Sequence, residues 1–173
     1  MLSKPNDNEF APYYEEYINM VPEGGLLEIL NDSLAETISL FKGISEQKSM
    51  YQYAPDKWTI KEVLGHMTDT EIIMCYRLLR IGRGDATPLT GFDEDTYVKA
   101  ACFNDRTLEN LLDSFIITRQ ATLNLIKSLR SGDWVNTGTA NEQIATPRAI
   151  AYIIAGHEMH HRKILEERYL RRA

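Results

Sequence analysis

Apolar residues recur at steps of three and four positions in four stretches of the chain, and polar residues fill the positions between them. This spacing places the apolar side chains on one face of a helix, so each stretch predicts an amphipathic α-helix. The four apolar faces comprise Leu27, Leu30, Leu34, Ile38 and Phe41; Val63, Met67, Thr70, Met74 and Leu78; Leu108, Leu111, Phe115, Thr122, Ile126 and Leu129; and Ile150, Ile154, His157, His161, Ile164 and Leu165. Four such helices without a convincing strand pattern predict an all-α fold, a four-helix bundle.

Residues with strong capping preferences mark the ends of these helices. Thr59 and Glu62 match a capping box, in which each side chain satisfies a free backbone N–H, so we expect the second helix to begin there. Thr146 followed by Pro147 fits the start of the fourth helix. A short leading helix is expected in "PYYEEYINM", with Pro12 at its first position. The glycines that fit helix ends are Gly43, Gly82, Gly84 and Gly132.

A long connection, "GDATPLTGFDEDTYVKAACFND", separates the second and third helices and is expected to be irregular. Loops of this length inside compact domains tend to be functional or mobile. Its aromatic and acidic residues, together with two tyrosines near the N-terminus, could line a pocket, although ordinary packing against the bundle explains each of them equally well. These residues are Phe92, Asp93, Tyr97, Phe103, Tyr13 and Tyr14.

Composition sets outer bounds on what the chain does. Its 173 residues are expected to form one domain, 1–173. The net charge of −6 and the pI near 5.3 argue against non-specific binding to nucleic acid or to an anionic membrane. We find no apolar run long enough to cross a bilayer and no apolar signal core, so a cytoplasmic location is expected. Cys75 and Cys102 have no metal-type spacing, and two cysteines do not make a disulfide framework.

The four histidines are the strongest candidates for chemistry. His66 lies at the edge of the apolar face of the second helix, and the other three lie on the fourth helix. Side chains three or four positions apart on a helix point to one side, so His157 can share a metal ion with His160 or His161. If the two helices are neighbours, His66 completes a three-histidine site with an open coordination position, as in reactive metal sites. The alternative for each histidine is a hydrogen-bonded core residue.

The segment "IAGHEMHHRKIL" contains His-x-x-x-His in the form of the zinc protease signature His-Glu-x-x-His. Such proteases need a further ligand. It comes either from a glutamate on another helix or from a longer motif, which has a glycine three residues after its second histidine. Here Ile164 takes the glycine position, and Glu166 and Glu167 continue the same helix and cannot turn back to the metal. A protease is therefore not expected. Glu158 is either a base towards a metal-bound water or, slightly favoured, a solvated helix residue.

Two of these segments resemble the DinB-like superfamily and, within it, the YfiT-like metal-dependent hydrolases. The segment "DKWTIKEVLGHMTDTE" is similar to the family's run of tryptophan, capping box and histidine, and "GHEMHHRKIL" is similar to its C-terminal His-x-x-x-His helix. Trp134 matches a tryptophan in the connection before the last helix. The resemblance covers about residues 24–170, which we expect to be the core of the domain.

The resemblance implies a four-helix bundle of the DinB/YfiT type that binds a divalent metal, nickel or zinc. It implies ligands at His66, His157 and His161, so that His160 lies behind the ligands or faces outward. Asp69 matches an acidic position common in the family, where it either orients a ligand imidazole or pairs with a nearby cation. Members are often homodimers, so a homodimer is expected here.

The expected function is that of a metal-dependent enzyme acting on a small molecule, with metal-activated water as in a hydrolase. Relatives also include enzymes that transfer a low-molecular-weight thiol, so a metal-dependent thiol S-transferase is the alternative, although no thiol-recognition motif is visible. A third interpretation is a non-catalytic, stress-related bundle with a structural metal. A small-molecule substrate is the expected partner, and neither nucleic acid nor membrane is.

Overall fold

The computed structural model describes residues 2–171. Within that range the α-helices are α1 (Glu15–Met20), α2 (Leu26–Lys42), α3 (Glu46–Ser49), α4 (Ile60–Gly82), α5 (Glu94–Ala101), α6 (Leu108–Ser128) and α7 (Pro147–Ile164). Strands β1 (Gly138–Ala140) and β2 (Gln143–Ala145) pair as an antiparallel hairpin. Short 3-10 turns occupy Asp7–Glu9, Pro12–Tyr14, Phe103–Asp105 and Asp133–Val135, and a π-helical turn, Leu165–Leu170, continues α7.

The four long helices form the predicted bundle, so the all-α, four-helix fold is confirmed. Helix α4 packs against both α6 and α7, and α2 packs against the same two helices. Helix α1, the expected short leading helix, covers a further side of α7. As a result, all ten residues from 149 to 158 are buried. Helix α7 is therefore the central helix of the protein.

The predicted capping residues are in place at both histidine-bearing helices. Thr59 Oγ1 accepts a hydrogen bond from the Glu62 backbone N–H at 3.1 Å, and Glu62 Oε2 accepts one from the Thr59 N–H at 2.7 Å. Thr146 Oγ1 accepts the Ala149 N–H at 3.1 Å, and Pro147 follows as the first helical residue. These caps fix where α4 and α7 begin, and hence which side chains each helix directs inward.

The apolar core is divided into two clusters along the bundle. One includes Leu30, Met74, Leu78, Leu123 and Ile150, and the other includes Phe41, Val63, Met67, Phe115 and Leu165. Between the two clusters each long helix contributes a buried polar side chain, namely Thr37 on α2, Glu71 on α4, Arg119 on α6 and Glu158 on α7. A polar layer therefore crosses the middle of the bundle, where a soluble four-helix protein could have kept apolar packing.

The connection between α4 and α6 differs from the expectation of an irregular loop. It contains α5, whose first turn is capped by Asp93: its Oδ1 accepts a hydrogen bond from the Thr96 N–H at 2.7 Å. The third long helix also ends earlier than expected, at Ser128 and not near Gly132. Both errors concern short or terminal segments, where tertiary contacts and local caps outweigh the apolar periodicity.

The hairpin is an element that the sequence analysis missed. Asn141 and Glu142 form its two-residue turn with φ of 51° and 61°, the left-handed conformation that such turns require. Leu89 pairs with the hairpin through two backbone hydrogen bonds of 2.9 Å, to Thr139 O and from the Asn141 N–H. Strands of three residues are too short to produce a readable alternation, which explains why no strand was expected.

Two further observations bear on the expectations from composition. Among residues 2–171, none of the helices combines the length and the apolar character needed to cross a membrane. Both cysteines are free thiols: Cys75 is half-buried on α4, and Cys102 is exposed after α5.

Candidate metal centre

Three imidazoles from two helices meet in the interior of the bundle. His66 Nε2 on α4 lies 3.1 Å from His157 Nε2 on α7, and His161 Nε2 lies 3.1 Å from the same atom. All three offer a ring nitrogen within 4.8 Å of the other two. His66 and His157 are buried, and His161 is half-buried. The structure thus brings together the three histidines that the resemblance implied as ligands.

Aromatic rings and one hydroxyl hold these imidazoles in place. The Trp58 ring lies 4.7 Å from the His66 ring, and the Tyr17 ring packs edge-on against His157 at 5.6 Å between centroids. Thr70 Oγ1, one turn after His66 on α4, lies 3.5 Å from its Nδ1. Because the far nitrogen of His66 faces a hydroxyl, its Nε2 is directed towards the other two histidines.

A glycine on α7 places Tyr17 beside the histidines. A Cβ built on Gly156 would lie 1.9 Å from the Tyr17 carbonyl oxygen, closer than any real side chain allows. With glycine at this position, the backbone of α1 can approach α7 directly next to His157. The sequence analysis identified Tyr13 and Tyr14 but not Tyr17, because the close approach of two helices leaves no periodic signal except the glycine itself.

Burial keeps the three imidazoles neutral. It lowers the pKa of His66 from its usual 6.5 to about 4. Burial, together with the neighbouring imidazoles, also lowers the pKa values of His157 and His161 well below the usual value. A histidine must be neutral to bind a metal, so this environment suits ligands.

The spacing of the nitrogens fits a single divalent ion. At a metal–nitrogen distance of about 2.0–2.1 Å, two ligand nitrogens lie about 2.9 Å apart at a right angle and about 3.3 Å apart at a tetrahedral angle. The observed separations of 3.1 Å lie between these values. Without a cation, a proton on His157 Nε2 can point at only one of the two neighbouring nitrogens, so the other 3.1 Å contact lacks a proper hydrogen bond. The donor set therefore fits a divalent transition metal of the kind that imidazole binds.

His160 and Asp69 lie at the edge of this cluster. The ring of His160 is half-buried against Tyr17 at 5.1 Å and borders a surface groove with Glu16 and Lys163. Asp69 is half-buried on α4, where burial raises its pKa and the charge of Arg106 opposes that shift. Among residues 2–171, Asp69 makes no hydrogen bond to a histidine, and Thr70 is the residue that faces His66 Nδ1. The roles expected for His160 and Asp69 stay predictions.

Glu158 belongs to a buried ion-pair network and is not a solvated helix residue, so that favoured interpretation was wrong. It is 2% exposed, and its two oxygens accept hydrogen bonds from Thr37 Oγ1 at 2.5 Å and Arg119 Nη1 at 2.6 Å. Arg119 also binds Glu71 through two hydrogen bonds of 2.7 Å and donates to the Leu30 carbonyl at 3.2 Å. Arg119 thereby ties together all four long helices next to His157. The other role expected for Glu158, that of a base, stays a prediction.

A cavity of about 490 Å³ opens beside His157. His157 and Thr70 line it, together with residues of the segment before α1, of α4 and of the β-hairpin. Of the residues expected to line a pocket, Tyr13, Tyr14 and Phe92 do so. Three others do not line it: Asp93 caps α5, Tyr97 lies outside it, and Phe103 packs in the core against Gly65.

The chain is similar to known proteins both in sequence profile and in structure. The profile of the DinB superfamily matches residues 29–165. Among solved structures, a Bacillus subtilis protein described as "a probable metal-dependent hydrolase with an unusual four-helix bundle topology", YfiT, superposes with a TM-score of 0.67 at 15% sequence identity. The match covers 92% of this chain and 87% of the other. A search of curated protein sequences returned no match. At this level of identity the superposition establishes the shared fold, and the family profile covers the segments that carry all three clustered histidines.

Proposed function

Because this chain belongs to the DinB superfamily, we propose that it is a metal-dependent enzyme of the hydrolase type that acts on a small molecule. The proposed ligands to zinc or nickel are His66, His157 and His161. The observation that carries the proposal is the meeting of three neutral imidazoles, one of which, His157, lines a cavity large enough for a small molecule. A divalent ion bound there supplies a Lewis acid and lowers the pKa of a water molecule that it binds.

Tyr17, beside the histidines, can act as a hydrogen-bond donor in the cavity. Tyr17 lines the cavity and contacts His157. Burial and the neighbouring Tyr13 raise the pKa of Tyr17 well above its usual value, so the phenol keeps its proton. A protonated phenol can donate a hydrogen bond to a substrate oxygen that gains negative charge during the reaction. We assign Tyr17 this role.

Glu158 is better suited to positioning than to proton transfer. Both of its oxygens already accept strong hydrogen bonds, from Thr37 and Arg119. A general base needs a free lone pair within reach of the proton that it removes. Glu158 directly follows His157 on α7, so its anchoring to Arg119 fixes the rotation of the helix and the direction of the adjacent imidazole.

The transfer of a thiol is the second candidate, and one observation favours it. Among the described residues that line the cavity, Glu94 is the one carboxylate, and it is exposed to solvent. A hydrolase of this design works without a protein carboxylate as base. A thiol, which ionises more readily than water, needs that base even less.

The two candidates are separated by assaying the untagged full-length protein, stripped of metal and reloaded with zinc or nickel. One panel contains p-nitrophenyl esters and anilides, and the other contains a low-molecular-weight thiol with a bimane electrophile. Hydrolysis that requires metal and is lost in His66→Ala supports the proposal, with His160→Ala as the matched histidine control. Thiol conjugation with the same dependence supports the second candidate instead. If neither panel responds to metal, the enzyme proposal is wrong.

A further inference from the structure

Arg77 on α4 is a buried cation at the wall of the cavity. It is 3% exposed and lines the cavity two helical turns beyond Thr70. Its Nη2 donates a hydrogen bond to the Thr90 carbonyl at 2.9 Å, and its Nη1 lies 3.7 Å from Met74 Sδ. Neither contact carries a negative charge. Within residues 2–171, no carboxylate oxygen lies within 4.0 Å of its guanidinium nitrogens.

The other arginines with little exposure each have a carboxylate partner. Arg119, which is fully buried, binds the carboxylates of Glu71 and Glu158. Arg148 pairs with Glu9, and Arg162 pairs with Glu36. Charges that leave water are ordinarily paired, because desolvation is otherwise uncompensated. Residues 2–171 supply no such partner for Arg77, and its side chain lines the cavity, so a ligand bound there can provide the missing negative charge.

The charge of the cavity wall limits what that partner is. Among the described residues that line the cavity, Arg77 is the one cationic side chain and Glu94, which is exposed, is the one carboxylate. The other polar lining groups are neutral, namely those of Asn141, Gln143, Tyr13, Tyr14 and Tyr17. Burial raises the pKa of Tyr14, and the charge of Arg77 beside it opposes that shift. One guanidinium matches a group with one negative charge, and its planar fork suits a carboxylate better than a doubly charged phosphate.

The line from the histidines to Arg77 sets the length of the ligand. Thr70, Met74 and Arg77 share one face of α4, and all three line the cavity. Seven residues of helix rise by about 10 Å. A ligand that spans this distance is therefore a small molecule somewhat longer than a free amino acid.

We propose that the cavity binds carboxylate-bearing small molecules, with the carboxylate paired to Arg77 and the reacting group placed about 10 Å away beside His157. The position of the reacting group rests on the proposed function. The anion subsite does not, because Arg77 is independent of the metal ligands.

The test compares phenylacetate with its neutral analogue phenylacetamide, titrated into the full-length protein and followed by NMR. We expect phenylacetate to bind at least about tenfold more tightly, as a charge-assisted hydrogen bond to a guanidinium group provides. This preference should vanish in Arg77→Met and be partly kept in Arg77→Lys. Arg80→Met makes the same change of charge on the same helix outside the cavity, and it should retain the full preference.

Equal binding of the two probes to the unmodified protein overturns the proposal without any variant, so a poorly folded Arg77→Met does not block the test. A preference for phenylacetate that survives in folded Arg77→Met overturns it as well, because the carboxylate then binds elsewhere, for example at the metal. Repeating the titration after metal removal separates the two proposals. An Arg77-dependent preference that persists without metal supports the anion subsite even if the chain proves not to be a metalloenzyme.

Discussion

Nε2 of His66 lies 3.1 Å from Nε2 of His157, although the two residues are 91 positions apart in the chain. Both nitrogens are buried, and both imidazoles are held neutral by that burial. Two uncharged histidines of distant origin are thus aimed at one point, which His161 also faces. The polar layer built around Arg119 lies on one side of His157, and the cavity opens beside the same residue.

The first prediction concerns Arg119, which joins Glu71 and Glu158 in the polar layer. Arg119→Met leaves two buried carboxyl groups without their cation, so we expect the free energy of unfolding to fall by about 3–5 kcal/mol. Chemical denaturation measures the loss. Arg130→Met is the control, because that side chain is 87% exposed and its removal should leave the stability nearly unchanged. Equal effects of the two substitutions would show that the layer does not hold the helices together.

The second prediction concerns the contact between α1 and α7. Gly156→Ala puts a methyl group within 1.9 Å of the Tyr17 carbonyl oxygen, so α1 has to move away from α7. We expect a loss of about 1–3 kcal/mol in the free energy of unfolding, as is typical of overpacking. At Gly132 an added Cβ meets no atom within 4 Å and φ is −74°, so Gly132→Ala should change little. A Gly156→Ala protein as stable as the unmodified one would contradict the close approach.

The third prediction concerns pH and Glu9, which anchors the segment before α1 to the start of α7. Burial alone would raise the pKa of Glu9, but hydrogen bonds from Arg148, the Asn6 N–H and Thr146 outweigh it and hold the pKa below its usual value. Its contribution to stability is therefore complete above the unfolded pKa of about 4.3 and declines as the pH falls below that value.

Denaturation of Glu9→Gln and of the unmodified protein from about pH 7 to pH 3 tests this sign. We expect a difference in unfolding free energy of about 1–3 kcal/mol at neutral pH, because Arg148 and Thr146 lose a charged acceptor. The difference should shrink in acid. A gap that stays constant down to the lowest pH would mean that the ionised form of Glu9 is not the stabilising one.

The fourth prediction concerns the proton of Tyr17. If its phenol donates to a substrate oxygen, Tyr17→Phe should lower the metal-dependent rate by about 10²-fold, the effect of losing one such donor. The metal content should not change, because Tyr17 is not a ligand candidate. Tyr97→Phe serves as the control, since Tyr97 lies outside the cavity. An unchanged rate in Tyr17→Phe, or a loss of metal, would rule out this role.

Much of the fold was predictable because its signals are local. Apolar periodicity and two capping residues, Thr59 and Thr146, located the histidine-bearing helices correctly. The hairpin and α5 were missed because they are short and depend on turn geometry and on contacts with the rest of the protein. The meeting of His66 with His157 followed only from assuming that α4 and α7 are neighbours, since periodicity gives the inner face of a helix and not its partner.

The polar layer shows which signal was available and overlooked. Arg119 is in step with Phe115 and Thr122, and Glu71 is in step with Met67 and Met74. Charged residues at positions of an apolar face indicate burial with a partner, but neither residue was singled out from the sequence. Arg77 is likewise in step with Thr70 and Met74. That it has no nearby carboxylate among the described residues depends on tertiary packing and could not be predicted from the sequence.

The central claim, that three histidines hold one divalent ion, is tested most directly by metal analysis of the untagged protein after dialysis, because a histidine tag would itself bind metal. We predict about one ion per chain in the unmodified protein and in His160→Ala, and the loss of most of that metal in His66→Ala with its helical content retained. Full retention of metal by a folded His66→Ala protein would contradict the account.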